Sequence, residues 1–178
     1  DVCSSDLVFG GSQGALAINT HFCGAMIELT QRTKNFQILH LTGDAIVSKE
    51  VKKVYDSLEI QSCVKEFESK MDLAYQASDL AISRAGAGTL AELIEYELPS
   101  ILIPYPHATD DHQGKNATVM EQRVKGAIVL EQSKLGAESL SKLIFSFFKH
   151  ERSKLEHLKE NILTYKNKQA DRKSTRLN

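Results

Sequence analysis

Two short stretches of the sequence put small and polar residues where an anion could be held. In "VFGGSQGALAIN", Gly10, Gly11, Ser12, Gln13 and Gly14 separate an apolar run from a helical one. In "AISRAGAGTLAELIEY", Gly86, Ala87 and Gly88 do the same ahead of Thr89, Leu90 and Glu92. Residues without bulk let a backbone turn tightly and let a ligand come close. A helix that starts directly after such a turn offers free backbone N–H groups and about half a positive charge. Phosphate is the natural guest, and two such turns suit the two phosphates of a diphosphate diester.

The spacing decides less than the composition. No Gly-Lys-Ser/Thr follows the first turn, so it is not a P-loop, and it is not a clean G-x-G-x-x-G. Asp44, after the second apolar run, keeps a nicotinamide dinucleotide reading open, as the acid that would bind a ribose. In the second stretch Thr89 and Glu92 stand three apart. They make a capping box if Thr89 is the helix N-cap and Glu92 reaches back. Alternatively Thr89 meets a phosphate and Glu92 accepts two ribose hydroxyls, since a carboxylate can take both side by side. Leu90, Leu93 and Ile94 face the core under either reading.

A third segment, "PHATDDHQGKNA", gathers His107, Asp110, Asp111 and His112, but the spacing matches no ligand pattern and no metal is expected. Gln113 and Asn116 carry carboxamides that both donate to and accept from sugar hydroxyls. The plain alternative for all of these is a solvated helix start.

The elements that must position these residues follow from the apolar pattern. Short runs at 7–10, 36–42, 60–67, 79–83, 100–105 and 126–131 read as strands. Helices are expected near 14–33, 44–57, 70–77, 89–97 and 112–123, with two more after 134. Strand–helix alternation with near-continuous apolar strands predicts an α/β fold, a Rossmann-like parallel sheet flanked by helices. In such sheets ligands bind outside the carboxyl ends of the strands, where the two glycine-rich turns fall. Leu155, Leu158, Ile162 and Leu163 give the charged tail the spacing of a surface helix packing on the sheet.

The bulk numbers agree with one domain. The chain has 178 residues, 42% hydrophobic, with a formal net charge of -1. That is enough apolar material for a core, and the balance gives no reason to expect nucleic acid as a partner. Cys3, Cys23 and Cys63 fit no zinc or redox spacing and read as reduced thiols. The ends, "DVCSSDL" and "DRKSTRLN", have no periodicity, and both back-translate to sequencing-adapter DNA. Residues 1–7 and 171–178 are therefore expected to be foreign to the domain, which is taken as 8–170, with coding sequence upstream of Val8.

Taken in order, "GGSQGALAIN", "SRAGAGTLAE", "LPSILIPYPHATDDHQGKNA" and "GAIVLE" resemble the carboxy-terminal half of the MurG family. These are bacterial N-acetylglucosaminyltransferases that convert lipid I to lipid II in peptidoglycan synthesis. The resemblance runs from about residue 8 to 165. It implies one half of a GT-B fold that holds the donor, UDP-N-acetylglucosamine, without a cofactor or metal. It also implies that Ser12 and the Gly10–Gly14 backbone, Gln13 included, and Thr89 with Gly88, meet the diphosphate, with Gly86, Leu90 and Asn116 also in the substrate site. Glu92 would bind the ribose, the backbone near Phe67 and Glu68 the uracil, and Ala87, Gly88 and Gln113 the sugar. Lipid I, the membrane contact and the catalytic base would belong to an amino-terminal half, at the cytoplasmic face of the inner membrane. Two departures stand out: many relatives carry a larger apolar residue at Gly88, and "FESKM" is less typical. The alternative is a stand-alone donor-binding subunit that needs a membrane partner for activity.

Overall fold

The computed structural model describes residues 4–10, 15–33, 36–148 and 153–175. Its strands are β1 (Ser4–Phe9), β2 (Phe36–Leu41), β3 (Gln61–Lys65), β4 (Leu80–Ser83), β5 (Ser100–Leu102) and β6 (Ala127–Val129). All neighbours pair in parallel, in the order β3-β2-β1-β4-β5-β6. The helices are α1 (Ala15–Leu29), α2 (Ala45–Ser57), α3 (Met71–Gln76), α4 (Ala87–Glu95), α5 (His112–Thr118), α6 (Ala137–Phe148) and α7 (Ser153–Thr175). A π-helical turn, Val119–Val124, continues α5.

The burial pattern follows the sheet order. β4 and β5 lie inside the sheet with helices on both faces, and each of their residues is buried. Such strands read as unbroken apolar runs. β3 is an edge strand and alternates between exposed and half-buried positions. On one face α1, α2 and α6 bury Phe22, Tyr55 and Leu140 against Val8 and Ile82. On the other, Leu93, Met120 and Ile162 pack against Leu7 and Leu102.

The chain begins at the sheet centre, winds outward to β3, and returns to the other side of β1 with β4. Strand order therefore reverses between β1 and β4, where Val8 pairs with Ile82 and Phe9 with Ser83. The turns that leave these strands emerge side by side, which is where ligands sit in doubly wound sheets.

β1 starts at Ser4, ahead of the bound at residue 8, and Ser4–Leu7 pair with Phe36–Leu39. At the other end, α7 runs to Thr175, past residue 170. It lies against α4, α6 and the π-helical turn, and its Leu155 and Ile162 join the apolar clusters built on the sheet. Leu155 and Ile162 are buried as the spacing requires, while Leu163 is 42% exposed.

A buried hydrogen-bonded chain fixes the first half of the sheet. Asn19 Nδ2 donates to the Thr42 carbonyl at 3.1 Å, which leaves its Oδ1 to accept from His40 Nε2 at 2.9 Å. His40 Nδ1 then accepts from the Tyr55 hydroxyl at 2.6 Å. This ordering assigns the neutral Nε2–H tautomer, with every member satisfied. Burial holds the His40 pKa down to about 3.

Candidate functional site

The site is best built from α4. Its N-cap is Gly86, with φ −67° and ψ 146°, and no side chain caps the helix start. Thr89 is therefore the third helical residue and not the N-cap, which overturns the capping-box reading. The error lies in the helix boundary: Ala87 and Gly88 give no start signal, and the Thr-x-x-Glu pattern puts the N-cap three residues too late. Among the described residues the first N–H groups of α4 have no side-chain acceptor, and Thr89 sits beside them half-buried.

Among the described residues, no side chain or backbone atom requires either glycine of this turn. A Cβ built on Gly88 meets nothing within 4 Å, and one on Gly86 meets only Thr89 Oγ1 at 3.6 Å. Among described glycines only Gly43 has positive φ, at 78°.

Thr89 and Glu92 line one side of a cavity of about 380 Å³. Phe9, Leu41, Phe67, Met71 and Tyr75 supply its apolar wall, with Gly43 and Glu66 at the rim. The β2–α2 and β3–α3 turns that carry this wall are tied together, with Thr42 N–H donating to Lys65 O and Gly43 N–H to Glu66 O. Phe67 is 75% exposed although aromatic. A flat apolar surface, a threonine at a helix start and a carboxylate thus face one space.

Glu92 is not isolated there. Its Oε2 accepts from the Tyr75 hydroxyl at 2.7 Å. Tyr75 is stacked on Tyr96, with centroids 5.4 Å apart, and meets Phe9 edge-on at 5.9 Å. Burial, and after it the hydrogen bond to Glu92, push the Tyr75 phenol well above its ordinary range.

Gln113 and Asn116 come to this edge from α5, but their visible work is on the backbone. Gln113 Oε1 accepts from the N–H groups of Ala85 and Tyr105, at 3.3 and 3.0 Å, and Asn116 Nδ2 donates to Ala85 O at 3.0 Å. Ala85, which immediately precedes Gly86, is held at both its N–H and its carbonyl. Arg84 joins the same two turns by donating to the carbonyls of Ile103 and Pro104, with its guanidinium over the Tyr105 ring.

Other expected residues fall elsewhere. Gly11, Ser12, Gln13 and Gly14 lie outside the described residues; the neighbouring Gly10 follows β1 directly and is buried. The contact expected at Glu68 is its backbone; its carboxylate is taken by Lys65 Nζ at 2.6 Å and Lys70 N–H at 2.9 Å. Those bonds hold it below the usual carboxylate range. Asp44 is the N-cap of α2, accepting from Ile46 and Val47 N–H, so the dinucleotide reading loses its acid. His112 and Asp110 approach only to 3.8 Å in solvent. Among the described residues no group of three or more His, Cys, Asp or Glu converges. No helix among them is long and apolar enough to cross a membrane.

The sequence reading missed Tyr75, Glu66 and Arg84. Tyr75 gave no signal, because "MDLAYQAS" has the pattern of a short amphipathic helix. Arg84 did: a cation that directly follows a buried strand must find acceptors nearby.

Comparison with known proteins places this geometry. Residues 7–174 match the model of the glycosyltransferase family 28 C-terminal domain. The chain is 48% identical over 143 residues to a Protochlamydia amoebophila protein named UDP-N-acetylglucosamine--N-acetylmuramyl-(pentapeptide) pyrophosphoryl-undecaprenol N-acetylglucosamine transferase. The match covers 79% of this chain and 37% of that protein. An Aquifex aeolicus protein of the same name is 40% identical over 162 residues, covering 88% of this chain and 42% of the relative. The chain thus spans only about two fifths of such relatives. The crystal structure of Acinetobacter baumannii MurG superposes with a TM-score of 0.76 at 26% identity, over 90% of this chain and 47% of that one. The C-terminal CMP-Kdo binding domain of WaaA from the same species shares the fold alone, at 9% identity and a TM-score of 0.65, over 92% of this chain and 89% of that one.

Proposed function

We propose, for a chain that belongs to the glycosyltransferase family 28 C-terminal domains, that it is the donor-binding half of a GT-B transferase. The parent enzyme would move N-acetylglucosamine, with inversion, from UDP-N-acetylglucosamine to lipid I, the undecaprenyl-diphospho-N-acetylmuramyl-pentapeptide, to make lipid II. It would work at the cytoplasmic face of the bacterial inner membrane. The relatives at 40–48% identity carry that activity in their names.

The observation that carries the reading is the cavity beside α4. Its apolar wall, with Phe67 exposed, suits a uracil base. Glu92 suits the ribose diol, because one carboxylate accepts both hydroxyls. Thr89 and the uncapped start of α4 suit the diphosphate, and the β1 turn with Gly11, Ser12, Gln13 and Gly14 would meet it from the adjoining strand. Ala87, Gly88 and the amide of Gln113 are left for the sugar.

Inverting transfer needs a base for the acceptor hydroxyl and stabilisation of the departing UDP. Backbone N–H groups and hydroxyls aimed at the diphosphate do the second, by meeting charge as it develops at the leaving oxygen. Removing one such donor in other enzymes raises the barrier by about 2.7–4 kcal/mol. On this reading Ser12 and Thr89 share that work, no metal or cofactor is required, and this chain alone is inactive. The base, lipid I and the membrane contact are assigned to the part of the parent that this chain does not span.

The test is calorimetric titration of the chain with UDP-N-acetylglucosamine, UDP-glucose and NADH, repeated on Glu92→Ala. Heat with the N-acetylglucosamine donor that weakens in the variant supports the reading. NADH binding in its place sinks it.

A further inference from the structure

We propose that Tyr75 is the positioning residue of this site: it holds the Glu92 carboxylate in the one orientation that distinguishes ribose from 2′-deoxyribose. The inference rests on the reading of Glu92 as the ribose acceptor and adds a residue to which that reading gives no part.

Glu92 is exposed, on the outer side of α4 where that helix borders the cavity. An exposed glutamate has three rotatable bonds, and freezing it when a ligand binds costs affinity, up to about tenfold. Tyr75 removes that freedom beforehand. Tyr75 is 2% exposed, and its ring is fixed from two sides, by the stack on Tyr96 and the edge contact with Phe9. Its hydroxyl is rigid in space and donates to Oε2 at 2.7 Å.

The atom count leaves room for the ligand. Two carboxylate oxygens offer about four lone-pair positions. Tyr75 fills one on Oε2, so Oε1 and the remaining position on Oε2 can each accept a hydroxyl. A diol then meets a carboxylate whose plane is already set, and a sugar with one hydroxyl loses a charge-assisted bond, a difference of about tenfold or more. The phenol stays a donor throughout, because burial and the adjoining carboxylate disfavour its ionisation.

The experiment measures binding of UDP and of 2′-deoxy-UDP to the 178-residue chain by calorimetry, for the wild type, Tyr75→Phe and Glu92→Ala. Phenylalanine keeps the ring, its stack and its burial, and a thermal melt checks that the fold is unchanged. The wild type is expected to prefer UDP by about tenfold. Both variants should bring that ratio within about threefold, because UDP loses more affinity than the deoxy ligand does. A merely structural tyrosine would weaken both ligands alike and keep the ratio. If Glu92→Ala abolishes the preference and Tyr75→Phe retains it, the role of Tyr75 is overturned and the ribose reading stands. If Glu92→Ala itself retains the preference, the ribose reading falls, and the role of Tyr75 with it.

Discussion

Gln113 Oε1 accepts from the N–H of Ala85 at 3.3 Å and also from the N–H of Tyr105 at 3.0 Å. One side chain thus spans the turns after β4 and β5. Because its oxygen faces two donors, the carboxamide is fixed in orientation, and only Nε2 remains to face a sugar. Gln113 can offer a bound sugar hydrogen-bond donors and nothing else.

Gln113→Ala and Gln113→Glu separate the clamp from the contact. Alanine leaves both N–H groups without their acceptor, and stability should fall by about 1–3 kcal/mol in urea denaturation. Glutamate keeps the oxygen and should recover most of that loss. It places an acceptor and a negative charge where Nε2 stood, so donor affinity should stay low in calorimetry. Glutamate binding as tightly as wild type would mean that the amide never touches the sugar.

The buried His40 makes stability depend on pH. Its pKa is about 3 in the folded state, against roughly 6.5 in an unfolded chain. Between those values the unfolded state binds the extra proton, so stability is full above about pH 6.5 and declines as pH falls towards 3. At pH 5 this one group should cost about 2 kcal/mol relative to neutral pH. Denaturation midpoints at pH 7.5 and 5 measure it, and His40→Gln should flatten the difference.

The contrast between these residues marks what could be read in the chain. Apolar runs at the right lengths reveal the strands, because burial on both faces leaves its mark on every residue of β4 and β5. The strand order then puts the β1 and β4 turns together. Partners cannot be read the same way: Tyr75 and Glu92 lie 17 residues apart, Gln113 and Ala85 28. The sequence names Glu92 and Gln113 as polar residues near a turn, but only packing decides which of their atoms are already in use. Local pattern also misleads where two devices share a signature. Thr89 and Glu92 have capping-box spacing, yet the helix begins at Ala87 and Glu92 bonds to Tyr75.

α7 is docked through a glycine. A Cβ on Gly126 would stand 2.7 Å from Ile162 Cδ1, with Cγ1 nearer still, and Ile162 is fully buried. Gly126→Ala should therefore destabilise by about 1–3 kcal/mol, as overpacking does. Ile162→Ala should cost about 2–5 kcal/mol through the cavity it leaves. The double variant should lose clearly less than the two together, since the new methyl occupies space the isoleucine vacates. Strict additivity in thermal or urea melts would show that α7 does not press on Gly126.

Gly86 and Gly88 test whether the turn is bare for a ligand's sake. At Gly88 an alanine meets no protein atom and sits inside α4, so Gly88→Ala should raise stability, by up to about 1 kcal/mol. Its donor affinity should hardly change, since a methyl there enters open space and leaves the N–H groups of α4 as they are. At Gly86 two effects oppose each other. Alanine fits φ −67° and restrains the unfolded chain, but it is a poorer N-cap than glycine. The net change should lie within about 1 kcal/mol. Donor affinity is the discriminating measurement, because a Cβ at Gly86 finds only Thr89 Oγ1, at 3.6 Å. If that space admits the diphosphate, Gly86→Ala should bind UDP-N-acetylglucosamine about tenfold more weakly while melting as before. Unchanged affinity at Gly86 would leave the glycine without a ligand to explain it and would move the diphosphate towards the β1 turn.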